Sequence, residues 1–202
     1  MQISNDVFTS GEPYAAFHDR IMAGGGIMQD MLVASEQGLA EQAIDSAPFK
    51  ALPKTVRVLV LSEDWCGDCT DNLPILNRLA EESGRLDVRI VSRDAHLDIM
   101  DAFLEYDKFR AIPLILFLDD DGNVIGSLKE RPEAVTELRA KKRAEIYEQH
   151  PEFGTQETYA TLDEETRAAL SEHLMAMRNE TRPFAIGEVV RELSKISGQA
   201  VS

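Results

Sequence analysis

The chain has 202 residues, of which 44% are hydrophobic and 28% charged, enough to bury a sizeable core as one domain with extensions or as two small ones. Its net charge is −15, divided as −5 over residues 1–53, −7 over 54–128 and −3 over 129–202, so the acidity forms no tail. Such a charge disfavours nucleic acid and anionic membrane surfaces as partners.

The opening stretch MQISNDVFTSGEPY has neither the basic nor the apolar region of a secretory signal, and no run approaches about eighteen apolar residues. A cytoplasmic location, with no membrane association, is expected. Residues 1–53 read as a helical extension. PYAAFHDRIMA opens after Gly11, Gly24–Gly26 interrupt it, and IMQDMLVASEQGLAEQAI places Ile27, Met31, Ala34, Leu39 and Ile44 near helical spacing. Pro48 and Pro53 punctuate the exit.

Residues 54–130 read as an α/β core. TVRVLVLS (55–62) is a nearly continuous β-branched apolar run, the pattern of a strand buried on both faces. CTDNLPILNRLAEESG (69–84) predicts a helix with Leu73, Leu76 and Leu79 on one side, Gly84 as C-cap and a kink at Pro74. DVRIVSRD (87–94) predicts a strand, HLDIMDAFLEYDKF (96–109) a helix, and PLILFLDDDGNVIGSLK (113–129) a hairpin. This order makes the first two strands parallel and the last two antiparallel, in a mixed sheet flanked by helices. Residues 131–202 read as a helical C-terminal extension. They comprise a charged helix over RPEAVTELRAKKRAEIYEQH, a loop, a helix over LDEETRAALSEHLMAMRN behind a capping box at Thr161 and Glu164, and a separate closing helix over FAIGEVVRELSKIS. The basic run at 139–145 reads as a solvated helix face.

Chemistry concentrates in EDWCGDCTD, residues 63–71, which holds both cysteines of the chain. A C-x-x-C pair that opens a helix places Cys66 where unpaired N–H groups and the helix dipole favour a thiolate. Cys69, one turn on, can close a disulfide, and Gly67 allows the tight turn between them. Cys66 would attack a substrate disulfide and Cys69 would resolve the mixed disulfide. Ile112-Pro113 precedes an apolar strand; a cis bond there would end the strand beside the cysteines and offer the Ile112 backbone to an extended substrate.

Trp65-Cys66-Gly67-Asp68-Cys69 after a buried strand, with Ile112-Pro113 before the hairpin, resembles the thioredoxin superfamily over about residues 54–130. The resemblance extends to bacterial thioredoxin-like proteins with added helices at both ends. It implies a thioredoxin-like fold and disulfide exchange without a cofactor or metal. It makes Cys66 and Cys69 catalytic, Pro113 the cis-proline, and Trp65, Gly67, Asp68, Ile112 and Pro113 the substrate-binding set, with Trp65 shielding the cysteines. Partners would be protein disulfide substrates and an electron donor of the thioredoxin-reductase type; the apolar stripes of the flanking helices suggest a homodimer.

Three positions depart from that family. Asp68 replaces the usual proline, and with Glu63, Asp64 and Asp71 nearby it opposes the helix dipole, which predicts a less readily formed thiolate and a reducing couple. Val60 stands where a buried aspartate assists the resolving cysteine, and Ile90 where a lysine accompanies that aspartate. Two other readings stay open: a redox-inert adaptor built on the same fold, and a metal site shared between two chains, since four ligands would be needed and His18, His96, His150 and His173 are scattered.

Overall fold

Strand β1 (Val56–Ser62) is buried along almost its whole length, as its unbroken apolar run requires, and it forms the inner strand onto which the rest is built. The computed structural model describes residues 1–106 and 108–199. β2 (Leu86–Ser92) pairs parallel with β1, with Val60 opposite Ile90. β3 (Leu114–Leu118) pairs antiparallel on the other side of β1, and β4 (Val124–Lys129) pairs antiparallel with β3. The sheet order is β2-β1-β3-β4, the mixed sheet the sequence predicts.

Eight α-helices flank it among the described residues: α1 (Asn5–Ser10), α2 (Tyr14–Gly24), α3 (Gly26–Ala40), α4 (Ala47–Lys50), α5 (Gly67–Ser83), α6 (Leu97–Asp101), α7 (Glu133–Gln149) and α8 (Glu164–Gln199). α5 crosses from β1 to β2 with Leu73, Leu76 and Leu79 buried, and ends at Gly84 in the left-handed conformation (φ 60°) that glycine adopts without penalty. Both extensions enter the same core. Phe8, Phe17 and Leu32 from one, and Val189, Leu193 and Ile196 from the other, join the residues under the sheet.

Several elements differ from the sequence expectation. Residues 1–12 tie down both margins of the sheet. Ile3 N–H donates to Gly122, Val124 N–H to Met1, and Glu12 exchanges two 2.9 Å hydrogen bonds with Ile90 on the edge of β2. The predicted helix over 96–109 stops at Asp101, and Glu105 bridges Phe109 instead. Beyond Phe103 the stretch is tied by the Arg110–Asp101 and Lys129–Glu105 ion pairs, and the Lys129 ammonium also donates to the Leu104 carbonyl at 3.1 Å. The predicted loop at 150–161 holds two short 3-10 turns, Pro151–Phe153 and Gln156–Thr161. The N-cap of α8 is Asp163, whose carboxylate accepts the Thr166 N–H at 2.9 Å, in place of Thr161. The two expected C-terminal helices are one, with Pro183 inside it. A helix-interior proline costs about 3 kcal/mol; burial of Ile186, Val189, Val190 and Leu193, at roughly 1.5–3 kcal/mol each, outweighs it.

Candidate active site

β1 delivers the chain at Ser62 into the turn Glu63-Asp64-Trp65, and Cys66 becomes the N-cap of α5. The Cys66 backbone is extended (φ −91°, ψ 107°), and its Sγ accepts the backbone N–H of Cys69 at 3.1 Å. The sulfur thus takes one of the four N–H groups that a helix start leaves unpaired. The Cys66 thiol also lies 3.4 Å from the Ile112 carbonyl oxygen, and the Ile112–Pro113 peptide is cis. The two stretches singled out in the sequence, 46 residues apart, therefore meet at one sulfur. Both cysteines are free thiols; Cys66 is 6% exposed and Cys69 fully buried. A Cβ at Gly67 would stand 2.6 Å from the Met31 methyl group of α3, the mobile end of a flexible side chain that would have to move.

Cys66 lies in the wall of a groove of about 920 Å³ that also includes Trp65, Tyr106, Phe109, Arg110 and Ile112. Trp65 does not shield the cysteines by burial. It is 57% exposed, with the Arg93 guanidinium 4.8 Å above its ring, and it forms one side of the groove. Gly67 and Asp68 line the same groove. Pro113 is buried beneath it, and its carbonyl accepts the Glu130 N–H at 2.9 Å.

All four carboxylates around the motif are engaged, three of them by arginines and Glu63 by neutral donors. Glu63 accepts the Ser92 hydroxyl at 2.7 Å and the Asp94 N–H at 3.0 Å. Asp64 pairs with Arg20 of α2 at 2.7 Å. Asp68 pairs with Arg131 at 2.6 Å, Arg139 at 3.1 Å and Arg178 at 3.4 Å. Asp71 pairs with Arg178 at 2.6 Å, Arg182 at 2.8 Å and Arg139 at 3.0 Å, and accepts the Ser35 hydroxyl at 2.8 Å. Burial pushes the Asp71 carboxyl up, but the three guanidiniums and Ser35 outweigh it and hold the group below its usual range. Arg139, expected on a solvated face, is buried in this cluster.

Burial, with Cys66 as a second cause, pushes the Cys69 thiol well up; the Ser62 side chain and the Glu63 backbone pull the other way. The sites of the missing aspartate and lysine, Val60 and Ile90, face each other across β1 and β2 and are both buried. No buried charge is left unpaired there. Ser62 lies two residues along β1, on the same face as Val60. Its buried hydroxyl makes no hydrogen bond, and its side chain is one of the two groups that pull the Cys69 thiol down against burial. It lines a second cavity of about 630 Å³ with Glu63, Ser92 and His96.

Arg139, Arg178, Arg182, Ser35 and Ser62 join the site with no motif in the sequence that marks them. Arg178 and Arg182, one turn apart on a helix, carried the available signal, but the partner carboxylates lie more than a hundred residues away.

Two solved structures are similar over nearly the whole chain. A protein of unknown function from Pseudomonas aeruginosa is 24% identical with a TM-score of 0.62, covering 96% of this chain and 99% of its own. An HIV epitope-scaffold is 23% identical with a TM-score of 0.61, covering 95% and 94%. Both likenesses are of fold alone. No curated protein matches the sequence. The family model described as thioredoxin matches residues 27–145, more than half of the chain and all of the sheet, motif and cis-proline, and on that match the chain belongs to the thioredoxin superfamily.

Proposed function

We propose that this chain is a thiol–disulfide oxidoreductase that reduces or exchanges disulfides of protein partners through Cys66 and Cys69. The observation that carries the reading is the Cys66 sulfur, held at a helix N-terminus by the Cys69 N–H and facing the Ile112 carbonyl in the wall of an open groove. A thiolate is the attacking species in exchange, and a helix N-terminus favours it. Cys66 Sγ attacks one sulfur of the substrate disulfide, and the other sulfur leaves as a thiolate and takes a proton. Cys69 then loses its proton and attacks Cys66 Sγ, which frees the second substrate thiol. Two electrons pass to the substrate, and the chain is left with a Cys66–Cys69 disulfide. A dithiol donor, such as a reductase of the thioredoxin-reductase type, returns them.

The exposed rings of Trp65, Tyr106 and Phe109 beside Cys66 suit a peptide segment as substrate, and Ile112 supplies backbone next to the sulfur. A cytoplasmic setting agrees with two cysteines used for exchange and not as a structural bridge.

The test is the midpoint potential of the pair, read as alkylated cysteines by intact mass in graded thiol/disulfide buffers. A two-electron transition near about −270 mV marks a reductase, and one near about −180 mV an oxidant or isomerase. A pair that stays reduced in every buffer overturns the reading.

A further inference from the structure

Asp68 stands inside the C-x-x-C motif, and Asp71 lies one turn further along α5. Each pairs with three guanidiniums at 2.6–3.4 Å: Asp68 with Arg131, Arg139 and Arg178, and Asp71 with Arg139, Arg178 and Arg182. Glu130 shares Arg131, which leaves the cluster with more positive than negative charge. Arg178 also reaches the Gly67 carbonyl at 3.4 Å, so the cluster abuts the residue that follows Cys66. The two other carboxylates near Cys66 are held elsewhere: Asp64 pairs with Arg20, and Glu63 accepts the Ser92 hydroxyl and the Asp94 N–H. Two of the four arginines come from α8, outside the strands and motif that make the sheet and its site.

We propose that this arginine cluster sets the redox potential of the Cys66–Cys69 pair, with α8 as the element that delivers the charge. The inference rests on the reading of the pair as an exchanging disulfide. Opening the disulfide takes two electrons and two protons in all, and a proton is given up again wherever Cys66 is a thiolate. That negative charge exists only in the reduced form. Cations beside it therefore favour the dithiol over the disulfide and raise the potential, while unopposed carboxylates do the reverse. Arg178 contacts both Asp68 and Asp71, so its loss removes one positive charge from both at once, while Asp68 keeps Arg131 and Arg139 and Asp71 keeps Arg139 of α7 and Arg182 of α8. These arginines are positioning residues, since they act on Cys66 through the carboxylates and the Gly67 carbonyl.

The test compares Arg178→Met, Asp68→Asn and the double variant, with Arg178→Lys as the charge-conserving control. Midpoint potentials are read in glutathione buffers. The pH profile of Cys66 alkylation by iodoacetamide is read in a Cys69→Ser background. Arg178→Met is expected to shift the equilibrium about tenfold toward the disulfide, which is about 30 mV more negative. It should also slow Cys66 alkylation at pH 7 on the order of tenfold. Asp68→Asn moves both in the opposite direction, the double variant returns toward wild type, and Arg178→Lys stays near it. Variants that lose thermal stability while both readouts match wild type overturn the proposal. If wild type shows no disulfide transition, the exchange reading fails, and the alkylation profile alone decides whether the cluster governs Cys66. If Arg178→Met does not fold, the Asp68→Asn arm decides by its sign.

Discussion

Burial pushes the Cys69 thiol well up, and in the proposed exchange a mixed disulfide at Cys66 would be resolved only once the Cys69 proton leaves. The strand position where the family keeps a buried carboxylate is Val60, an apolar side chain sealed against Ile90. Ser62 stands one pleat closer to the motif, its side chain pulls the Cys69 thiol down against burial, and it lines a polar cavity with Glu63 and Ser92. A hydrogen bond to a charged group contributes about 1.5–3 kcal/mol, which is roughly ten- to a hundredfold in rate if it acts on the departing proton. Ser62→Ala should therefore lengthen the life of the mixed disulfide by that factor. It should leave stability nearly unchanged, because the hydroxyl has no hydrogen bond to lose. Stopped-flow resolution of a Cys66 mixed disulfide measures it, and equal rates for both proteins across pH would end this role for Ser62.

Between elements, α3 and α8 approach so closely that Gly38 has no room for a side chain. A Cβ there would stand 2.6 Å from Cδ of Arg182, and Arg182 is itself fixed by Asp71 and Asn179. On an open helix face, Gly→Ala gains up to about 1 kcal/mol of helix propensity. Overpacking a filled contact costs about 1–3 kcal/mol. The second effect wins here because Arg182 cannot swing away without breaking its pair with Asp71. Gly38→Ala is thus expected to lower the urea midpoint, and a raised midpoint would show that Arg182 yields freely. Nothing in the α3 sequence announces this contact, since a lone glycine in a helical pattern reads only as a weak position. The continuity of α8 was hidden for a related reason. Pro183 is a local signal, whereas the apolar burial that overrides it comes from the core under the sheet.

Across the whole molecule, the readable features were those whose cause is local in sequence. The apolar run of β1, the hairpin and the C-x-x-C at a helix start each carry their own reason, and Val60 and Ile90 were already matched across two strands. The charge balance of the site was not readable, because it joins Ser35, Asp68, Asp71, Arg139, Arg178 and Arg182 from four helices. That network also makes stability depend on pH in a stated direction. The Asp71 carboxyl is held below its usual range in the folded chain, by the guanidiniums against burial, while in the unfolded chain it titrates near about 3.9. Its contribution is therefore present above about pH 3.9 and is lost as pH falls through the folded value. Asp71→Asn leaves Arg139, Arg178 and Arg182 short of a carboxylate, and breaking such a buried pair costs about 3–5 kcal/mol. The penalty should be full at pH 7 and clearly smaller at pH 3, where part of the wild-type advantage has gone. Urea titrations of both proteins at the two pH values give the difference directly. A penalty equal at pH 7 and pH 3 would mean that Asp71 packs the helices together without its charge contributing to stability.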